Sequence, residues 1–298
     1  MKFEGLRESM INCSFYVQQK MNELLPENFS ASKIVEAMRY SSLSEGKRIR
    51  PFLVIAIANI FNFPPIKSLN CATAIEFVHV YSLIHDDLPS MDDDDFRRGK
   101  LSNHKKFDEA TAILAGDALL TFAFEILANS ETHNNAEIRC ELIKILSSAI
   151  GFKGMVGGQM IDIENIDKKI SQEQIINLHR LKTGELFMAS AECGAILGGA
   201  SKEERCALRY YAHDLGLAFQ IKDDILDHIG VEIGKTEIDE MTHKKPKENA
   251  SIVDIIGVEQ AQKRLQILSE QAKDHLKIFG KKANILKDLV DLLVNRSN

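Results

Sequence analysis

An α-helical period runs through the stretch Ile175-Ile176-Asn177-Leu178-His179-Arg180-Leu181-Lys182-Thr183-Gly184-Glu185-Leu186, where apolar side chains recur every three to five residues. This spacing places them on one face of a helix. The stretch lies inside a long segment, residues 90–245, that contains no proline. Because proline interrupts helix interiors, we expect this segment to form consecutive helices.

The remaining secondary-structure signals agree with a helical chain. Ser171 and Ser201 are each followed three residues later by Gln or Glu, which is typical of a capping box at a helix start. Alternation at period two, which would indicate strands, is scarce. The sequence therefore predicts an all-α fold with a single domain over residues 1–298. The helices are expected near residues 4–24, 31–41, 51–61, 67–88, 108–129, 135–151, 172–198, 202–228, 251–276 and 280–295.

The composition excludes several classes of protein. The 298 residues carry 37 basic and 43 acidic side chains, a net charge of −6, which excludes a nucleic-acid-binding arm built on bulk positive charge. The five cysteines form no CxxC pair, so neither a disulfide framework nor a zinc knuckle is expected. The longest apolar run, near residues 52–61, is about half of a membrane span, and no signal peptide is recognised. We therefore expect a cytoplasmic protein with no stable membrane insertion and no nucleic-acid partner.

An unusual acidic cluster follows a predicted buried helix. The segment Ile84-His85-Asp86-Asp87-Leu88-Pro89-Ser90-Met91-Asp92-Asp93-Asp94-Asp95 holds six aspartates within ten residues. Acidic runs are usually solvated loops, but aspartates at the end of a buried helix repel each other unless a cation lies between them. Pro89 favours a chain break that would let Asp92 fold back toward Asp86. Arginines follow directly in Arg97-Arg98-Gly99-Lys100, and this combination indicates a site for a metal-bound polyanion.

A second acidic cluster of similar form lies about 130 residues further along the chain. The segment Phe219-Gln220-Ile221-Lys222-Asp223-Asp224-Ile225-Leu226-Asp227 places Asp223 and Asp227 on one helix face. Paired acids on a single helix are common, but two such clusters on facing helices would form a cage for several hard cations. Oxygen ligands of this kind suit Mg²⁺.

Basic residues complement the two clusters. The segment Gly46-Lys47-Arg48-Ile49-Arg50-Pro51 opens a predicted helix, where Lys, Arg and backbone N–H groups can bind phosphate. His79 lies two helical turns before Asp86, a position where a core histidine is the common alternative. Lys182-Thr183-Gly184 interrupts an apolar helix with a cation and a hydroxyl group.

Taken in order, these motifs resemble the trans-isoprenyl diphosphate synthase family, most closely its bacterial farnesyl diphosphate synthases (geranyltranstransferases). The similarity extends over most of the chain, and the combination of motifs is very specific. The matching motifs are GKRIRP (46–51), DDLPSMD (86–92), RRGK (97–100), AGDALL (115–120), GGQMID (157–162), KTGEL (182–186) and FQIKDDILD (219–227).

The resemblance implies a fold, an activity and a set of cofactors. It implies an all-α prenyl-synthase (terpenoid synthase) bundle around a deep central cavity, and a homodimer. The implied reaction is the head-to-tail condensation of isopentenyl diphosphate with dimethylallyl or geranyl diphosphate, giving (2E,6E)-farnesyl diphosphate and diphosphate. Three Mg²⁺ ions are implied to neutralise the leaving diphosphate so that the allylic C–O bond ionises. The released diphosphate then accepts the proton, so no side-chain base is needed.

The resemblance also assigns roles to individual residues. The implied Mg²⁺ ligands are Asp86, Asp92 and Asp223, with Asp87 and Asp227 as helpers. The implied contacts of the allylic diphosphate and its departing charge are Arg97, Lys182, Thr183, Gln220 and Lys235. The implied isopentenyl diphosphate site consists of Lys47, Arg50, His79 and Arg98. The residues expected to be catalytic are Asp86, Asp92, Asp223, Lys182 and Arg97, whereas Asp93 to Asp95 are expected to be loop acids.

Chain length and loop closure complete the expectations. In the family, an aromatic residue five positions before the first motif goes with a fifteen-carbon product, and Tyr81 occupies that position, followed by Ser82. The chain departs from the family after Gly234-Lys235-Thr236, where the usual threonine-tyrosine-proline string is absent. Which lysine of residues 235–247 closes the site therefore stays open.

Several alternatives remain at this point. Within the family, the chain could be a geranylgeranyl or geranyl diphosphate synthase, or less readily a terpene cyclase. A carboxylate-bridged di-iron bundle uses two ExxH pairs, and Glu76…His79 and Glu240…His243 have this spacing. A non-catalytic helical scaffold would leave the closely spaced aspartates without a compensating function.

Overall fold

The structure, a computed structural model, describes residues 5–27, 32–166, 168, 170–232 and 251–296, with the backbone alone for residues 230–232. Most of this part of the chain is helical, with one short two-stranded hairpin, which confirms the all-α prediction. The α-helices are α1 Leu6–Leu24, α2 Ser32–Ser42, α3 Ile49–Ile60, α4 Leu69–Asp86, α5 Asn103–Lys106, α6 Glu109–Ala128, α7 Ala136–Ile150, α8 Met155–Glu164, α9 Gln172–His179, α10 Glu185–Leu197, α11 Lys202–Glu232, α12 Ile252–Ile256, α13 Val258–His275 and α14 Asn284–Asn295.

Short elements connect some of these helices. Pro65–Ser68 and Lys277–Ala283 form 3₁₀ turns, and Arg180–Gly184 forms a single π-helical turn between α9 and α10. Strands β1 (Phe96–Arg97) and β2 (Lys100–Leu101) pair as a small antiparallel hairpin after α4. The hairpin lies in a stretch where the sequence predicts a loop.

The capping boxes predicted at two helix starts are confirmed. The Ser171 hydroxyl accepts a hydrogen bond from the Gln174 N–H at 3.2 Å, and the Gln174 side chain accepts one from the Ser171 N–H at 2.8 Å. Ser201 and Glu204 make the same reciprocal pair ahead of α11, at 3.2 and 2.7 Å. Each pair satisfies N–H groups that a helix start leaves without an intrahelical partner.

Helix α8 lies in a stretch for which the sequence predicts no helix. The segment contains three glycines, Gly154, Gly157 and Gly158, which lower its helix propensity. A helix is therefore not predicted there from residue propensities. The structure gives a packing reason for one of them. A Cβ atom at Gly158 would lie 2.4 Å from the backbone nitrogen of Lys182, so only glycine lets α8 approach the π-helical turn this closely.

Contacts divide the chain into two compact units. Unit 1 contains the described residues of 5–55 and 65–143, and unit 2 contains those of 56–64, 144–232 and 251–296. In unit 1, α4 is buried over most of its surface and packs against α1, α2 and α6. Phe77 of α4 stacks on Phe122 of α6 with ring centroids 5.8 Å apart.

Helix α6 is the one helix in the described part of the chain that is long and apolar enough to cross a membrane. However, 44% of its apolar window is buried within the protein, and the helix packs along α4. Core helices of soluble proteins pass the same test of length and composition. Ile113 and Leu114 leave an apolar part of its outer face exposed.

Unit 2 is organised around the long helix α11, which packs against α10, α13 and α14. Its hydrophobic core includes Ile175, Ile221, Ile225, Ile252 and Leu265. The periodic apolar face predicted at the outset is confirmed, because the four positions that define its spacing are all buried. These positions are Ile175, Leu178, Leu181 and Leu186.

A buried ion pair joins the loop before α3 to the middle of α4. Arg48 donates to Glu76 Oε1 at 2.6 Å and to the carbonyl oxygens of Ser42 and Ser44 at 2.7 and 2.6 Å. Both charged side chains are only 2% exposed. Arg48 also adopts a left-handed backbone conformation, with φ of 47°, which the loop stabilises through these contacts.

Removing one partner of this pair is expected to destabilise the protein strongly. Arg48→Ala or Glu76→Ala leaves an uncompensated buried charge, so each should lower the free energy of unfolding by about 3–5 kcal/mol. Urea denaturation followed by circular dichroism measures the loss. The control is Lys263→Ala, which removes an exposed ion pair with Glu259 and should cost less than about 1 kcal/mol. A cost for Glu76→Ala as small as that of the control would contradict this role.

Candidate active site

The first acidic cluster is shaped by the chain break at Pro89. Helix α4 ends at Asp86, and the chain then turns so that the Asp92 N–H donates to the Asp86 carbonyl oxygen at 2.8 Å. Asp93 donates its N–H to the Leu88 carbonyl oxygen at 3.1 Å and has φ of 50°. The expectation that Asp92 folds back toward Asp86 is therefore confirmed. Metal binding by these two carboxylates stays a prediction.

Asp87 has a protein partner, Arg97. The carboxylate is 3% exposed and accepts from Arg97 Nε at 2.8 Å and also from Arg97 Nη2. Burial raises the pKa of Asp87, while the Arg97 guanidinium opposes this effect. Arg97 also donates to Asp94 at 3.1 Å. Asp87 therefore holds Arg97 beside the first cluster. This ion pair is enough to explain why the Asp87 carboxylate is buried, and metal binding by Asp87 stays a prediction.

The loop acids have contacts of their own. Asp95 pairs with Lys105 at 2.8 Å, which supplies a cation from the protein. One potential ligand atom from each of Asp93, Asp95 and His104 lies within 4.8 Å of the others. His104 was missed by sequence reasoning because nothing in its local pattern relates it to the aspartates. His104 Nδ1 lies 3.2 Å from the Ser102 hydroxyl, and the Lys105 pair ties α5 to Asp95.

Three of the four residues predicted to bind isopentenyl diphosphate are grouped in unit 1. Arg50 Nη1 lies 3.4 Å from His79 Nε2. Burial, followed by the charges of Arg50 and Arg98, lowers the pKa of His79 well below 6.5, so His79 is neutral at pH 7 and can accept this hydrogen bond. A Cβ at Gly46 would lie 2.8 Å from Arg98 Nη1, so the loop that carries Lys47 passes directly beside the Arg98 guanidinium.

The second acidic cluster has two faces on α11. Asp227 is exposed and Asp223 is partly exposed, whereas Asp224 is buried. Asp224 accepts hydrogen bonds from the Ile252 N–H at 2.9 Å and from Gln220 Nε2 at 3.2 Å. Burial raises the pKa of Asp224 to about 6 despite these bonds. Asp224 thus connects α11 to the start of α12, and Asp223 and Asp227 are left as the carboxylates that face outward.

The π-helical turn places two predicted residues beside α8 and α11. Lys182 Nζ pairs with Asp162 at 2.5 Å, and the Thr183 hydroxyl donates to Gln220 Oε1 at 3.1 Å. Gln220 in turn donates to Asp224, so hydroxyl, amide and carboxylate form one chain of hydrogen bonds. Asp162 lies in the GGQMID motif, yet the sequence assigned it no role because its partner lies 20 residues away on another element.

Nearby polar groups on α8 and α9 complete this part of unit 2. The side-chain nitrogen and oxygen of Gln159 are buried and have no hydrogen-bond partner among the described residues. His179 is buried, and burial lowers its pKa to about 4, so its 3.7 Å contact with Asp224 is not an ion pair at neutral pH. Lys235 lies outside the described residues, as do the other lysines of residues 235–247.

The predicted chain-length residues lie on the last turns of α4. Tyr81 is 5% exposed, and its ring packs edge-on against His85 with centroids 5.7 Å apart. Burial and the charge of Asp86 raise the pKa of Tyr81 to about 12, which agrees with a phenol close to the first cluster. Ser82 donates its hydroxyl to the His79 carbonyl oxygen at 2.9 Å. Gly116 of α6 leaves the space that the His85 ring occupies.

The di-iron alternative is not supported. Glu76, the carboxylate of the first ExxH pair, is bound to Arg48, and His79 contacts Arg50. Glu76 Oε1 and His79 Nε2, which would have to bind iron, each face a cationic arginine instead. The second pair, Glu240…His243, lies outside the described residues.

Comparisons with known proteins agree with this arrangement. Farnesyl diphosphate synthase of Micrococcus luteus is 41% identical over 281 residues, which cover 93% of this chain and 94% of that protein. Geranylgeranyl diphosphate synthase of Cyanophora paradoxa is 38% identical over 285 residues, which cover 95% and 93%. The crystal structure of an FPP/GFPP synthase from Zymomonas mobilis matches with a TM-score of 0.88 and 40% identity, covering 97% of this chain and 98% of that one.

The family profile described as polyprenyl synthetase matches residues 31–287, a range that includes residues of both units and both acidic clusters. The chain therefore belongs to the polyprenyl synthetase family, whose members are prenyltransferases.

Proposed function

We propose that the protein condenses isopentenyl diphosphate with dimethylallyl or geranyl diphosphate to form (2E,6E)-farnesyl diphosphate and diphosphate. The observation that carries this proposal is the grouping of Arg50, His79 and Arg98 in the same unit as the folded-back pair Asp86 and Asp92. The arginines and the histidine suit a diphosphate, and the two aspartates suit hard cations such as Mg²⁺. Several relatives are named farnesyl diphosphate synthase, and about 40% identity over most of the chain supports the same product.

The donor set of both clusters fits Mg²⁺. Carboxylate oxygens are the ligands that Mg²⁺ takes in proteins alongside substrate phosphates. The carboxylates of Asp86, Asp92, Asp223 and Asp227 would hold the ions, and three ions follow from the family resemblance. When bound, the ions neutralise the diphosphate leaving group and lower the barrier to ionisation.

The other side chains act on the substrates directly. Arg97, oriented by Asp87, and Lys182, oriented by Asp162, bind the allylic diphosphate. The Thr183 hydroxyl and the Gln220 amide, fixed by their mutual hydrogen bond, present dipoles to the allylic carbocation. Lys47, Arg50, His79 and Arg98 orient isopentenyl diphosphate so that its double bond attacks that carbon. The proton then leaves to the released diphosphate.

We also propose that residues 1–298 act as one polyprenyl synthase domain in the cytoplasm. One acidic cluster lies in each unit, and the family profile spans both, which supports a shared catalytic function. Geranylgeranyl diphosphate synthase is the second candidate, because a relative of that name is 38% identical. The two candidates differ only in the length of the product.

Condensation is expected to depend on the carboxylates of Asp86 and Asp223. Purified protein incubated with isopentenyl diphosphate, geranyl diphosphate and Mg²⁺ should yield farnesyl diphosphate, measured by mass spectrometry. Asp86→Asn and Asp223→Asn should each lower kcat/KM by roughly 100-fold or more, because charge stabilisation at the leaving group is worth several kcal/mol. The control Asp274→Asn removes an exposed aspartate paired with Lys277 and should leave kcat/KM unchanged. No product from the wild-type protein would reject the proposed function.

Tyr81 is expected to limit the product to fifteen carbons. Its buried ring lies one turn before the first cluster, and Tyr81→Ala would remove that bulk. The variant should therefore make longer prenyl diphosphates, read as a shift in the chain-length distribution. Tyr210→Ala, at an exposed tyrosine of unit 2, is the matched control and should keep the wild-type distribution. An unchanged distribution for Tyr81→Ala would show that another residue sets the length.

We further propose that the protein is a homodimer through the outer face of α6. This face carries Ile113 and Leu114 at 43% and 56% exposure, and an apolar face of this kind suits a self-complementary interface. Leu114→Glu should therefore shift the mass measured by analytical ultracentrifugation from dimer to monomer. The control Ile66→Glu alters an equally exposed apolar residue of unit 1 and should remain dimeric. A monomeric wild-type protein would contradict this assembly.

A further inference from the structure

We propose that Arg296 is the resident counter-ion of Asp223 and that a metal ion must displace it to bind the second acidic cluster. This inference deepens the proposed function and rests on its assignment of Asp223 as a metal ligand. It predicts that Arg296 weakens metal binding by the protein without substrate. No motif of the sequence indicated Arg296.

Within the described part of the chain, Arg296 contacts Phe219 and Asp223 of α11. Its Nη2 lies 2.7 Å from Asp223 Oδ1 and 3.0 Å from the carbonyl oxygen of Phe219. The guanidinium carbon lies 4.2 Å from the centroid of the Phe219 ring, in a cation–π arrangement. The arginine side chain is 9% exposed and that of Asp223 is 35% exposed. The Arg296 guanidinium is thus buried, whereas the Asp223 carboxylate that it pairs with is partly exposed to solvent.

Packing of α14 against α11 fixes this position. Arg296 directly follows α14, whose buried face includes Leu289 and Leu293. The Tyr211 hydroxyl of α11 donates to the Leu286 carbonyl oxygen at 3.1 Å, which joins the two helices further along. Because the packed helices α11 and α14 fix the backbone next to Arg296, its positive charge stays beside Asp223 in the metal-free protein.

The ion pair between Arg296 and Asp223 is weak enough for a divalent ion to replace the arginine. Among the residues that the structure describes, Arg296 donates to Asp223 through Nη2, and its buried Nε has no hydrogen-bond partner. By contrast, Arg97 donates from both Nε and Nη2 to Oδ1 of Asp87, whose carboxylate is only 3% exposed. Asp87 therefore keeps its arginine as a structural pair, whereas Asp223 can exchange its arginine for a divalent ion.

Electrostatics makes the two cations competitors. A divalent ion on Asp223 would lie within a few ångströms of the guanidinium, and like charges at that distance repel each other. The single positive charge of Arg296 offsets the repulsion among Asp223, Asp224 and Asp227 when no metal is present. Removing it should destabilise the metal-free protein and strengthen its binding of a divalent ion.

The test measures Mn²⁺ binding to the whole protein without substrate, from the free-ion signal in electron paramagnetic resonance. Arg296→Met keeps an apolar side chain of similar length over Phe219 but removes the charge. It should tighten the Mn²⁺ dissociation constant by about tenfold, within the usual range of coupling between two sites. Arg296→Lys, which retains the charge, should bind Mn²⁺ close to the wild-type affinity.

The matched control is Arg205→Met, also in unit 2. Arg205 pairs with Glu192 at 2.8 Å with a side-chain exposure of 22%, and neither residue belongs to an acidic cluster. Its Mn²⁺ affinity should equal that of the wild type. In an Asp223→Asn background, Arg296→Met should produce no further change, because the contested ligand is absent.

Thermal unfolding gives a second readout. Without metal, Arg296→Met should have a lower Tm than the wild type, and Mn²⁺ should raise the Tm of the variant by more than that of the wild type. A folded Arg296→Met variant that binds Mn²⁺ no more tightly than the wild type would overturn the inference. Equal affinities of wild type and Asp223→Asn would instead contradict the proposed function, and this inference with it.

Discussion

Repulsion among closely spaced carboxylates is the constraint that governs both acidic clusters. Six aspartates follow the buried helix α4, and three more lie within five residues of α11. In each unit, basic residues pair with part of the cluster: Arg97 with Asp87 and Asp94, Lys105 with Asp95, and Arg296 with Asp223. These pairs offset part of the repulsion that closely spaced carboxylates would otherwise impose on the folded protein.

The backbone positions these charges by departing from regular helix at a few places. The break at Pro89 brings Asp92 back to Asp86 by a main-chain hydrogen bond. In unit 2, the π-helical turn Arg180–Gly184 presents Lys182 and Thr183, and Gly158 lets α8 approach that turn. Such π-bulges are frequent at functional sites because they aim consecutive side chains where a regular helix would not.

Local patterns explain which parts could be predicted from the sequence. The buried face through Ile175 and Leu186 follows from a 3.6-residue period, and the fold-back of Asp92 follows from the restriction that Pro89 places on its neighbour. Helix α8 could not be predicted, because its glycines serve tight packing and hide its propensity. Asp162 and Arg296 could not be predicted as site residues either. Each is a lone residue whose partner lies 20 or 73 positions away and becomes visible only in the folded chain.

Buried polar residues also decided between interpretations that spacing leaves open. Glu76 and His79 have the spacing of a di-iron pair, yet the structure gives each an arginine partner. Asp223 and Asp224 are adjacent in sequence, but one faces outward and the other accepts a buried N–H from Ile252. Side-chain environment, which a sequence pattern does not contain, separates the metal-ligand candidates from the structural acids.

The central claim is that Asp86, Asp92 and Asp223 hold divalent ions together with the diphosphate of the allylic substrate. The most direct measurement is the anomalous scattering of Mn²⁺ in crystals grown with a non-hydrolysable allylic diphosphate analogue. We expect Mn²⁺ ions bonded to Asp86 and Asp92 and another bonded to Asp223. Mn²⁺ ions bound to the diphosphate with these three carboxylates uncoordinated would contradict it.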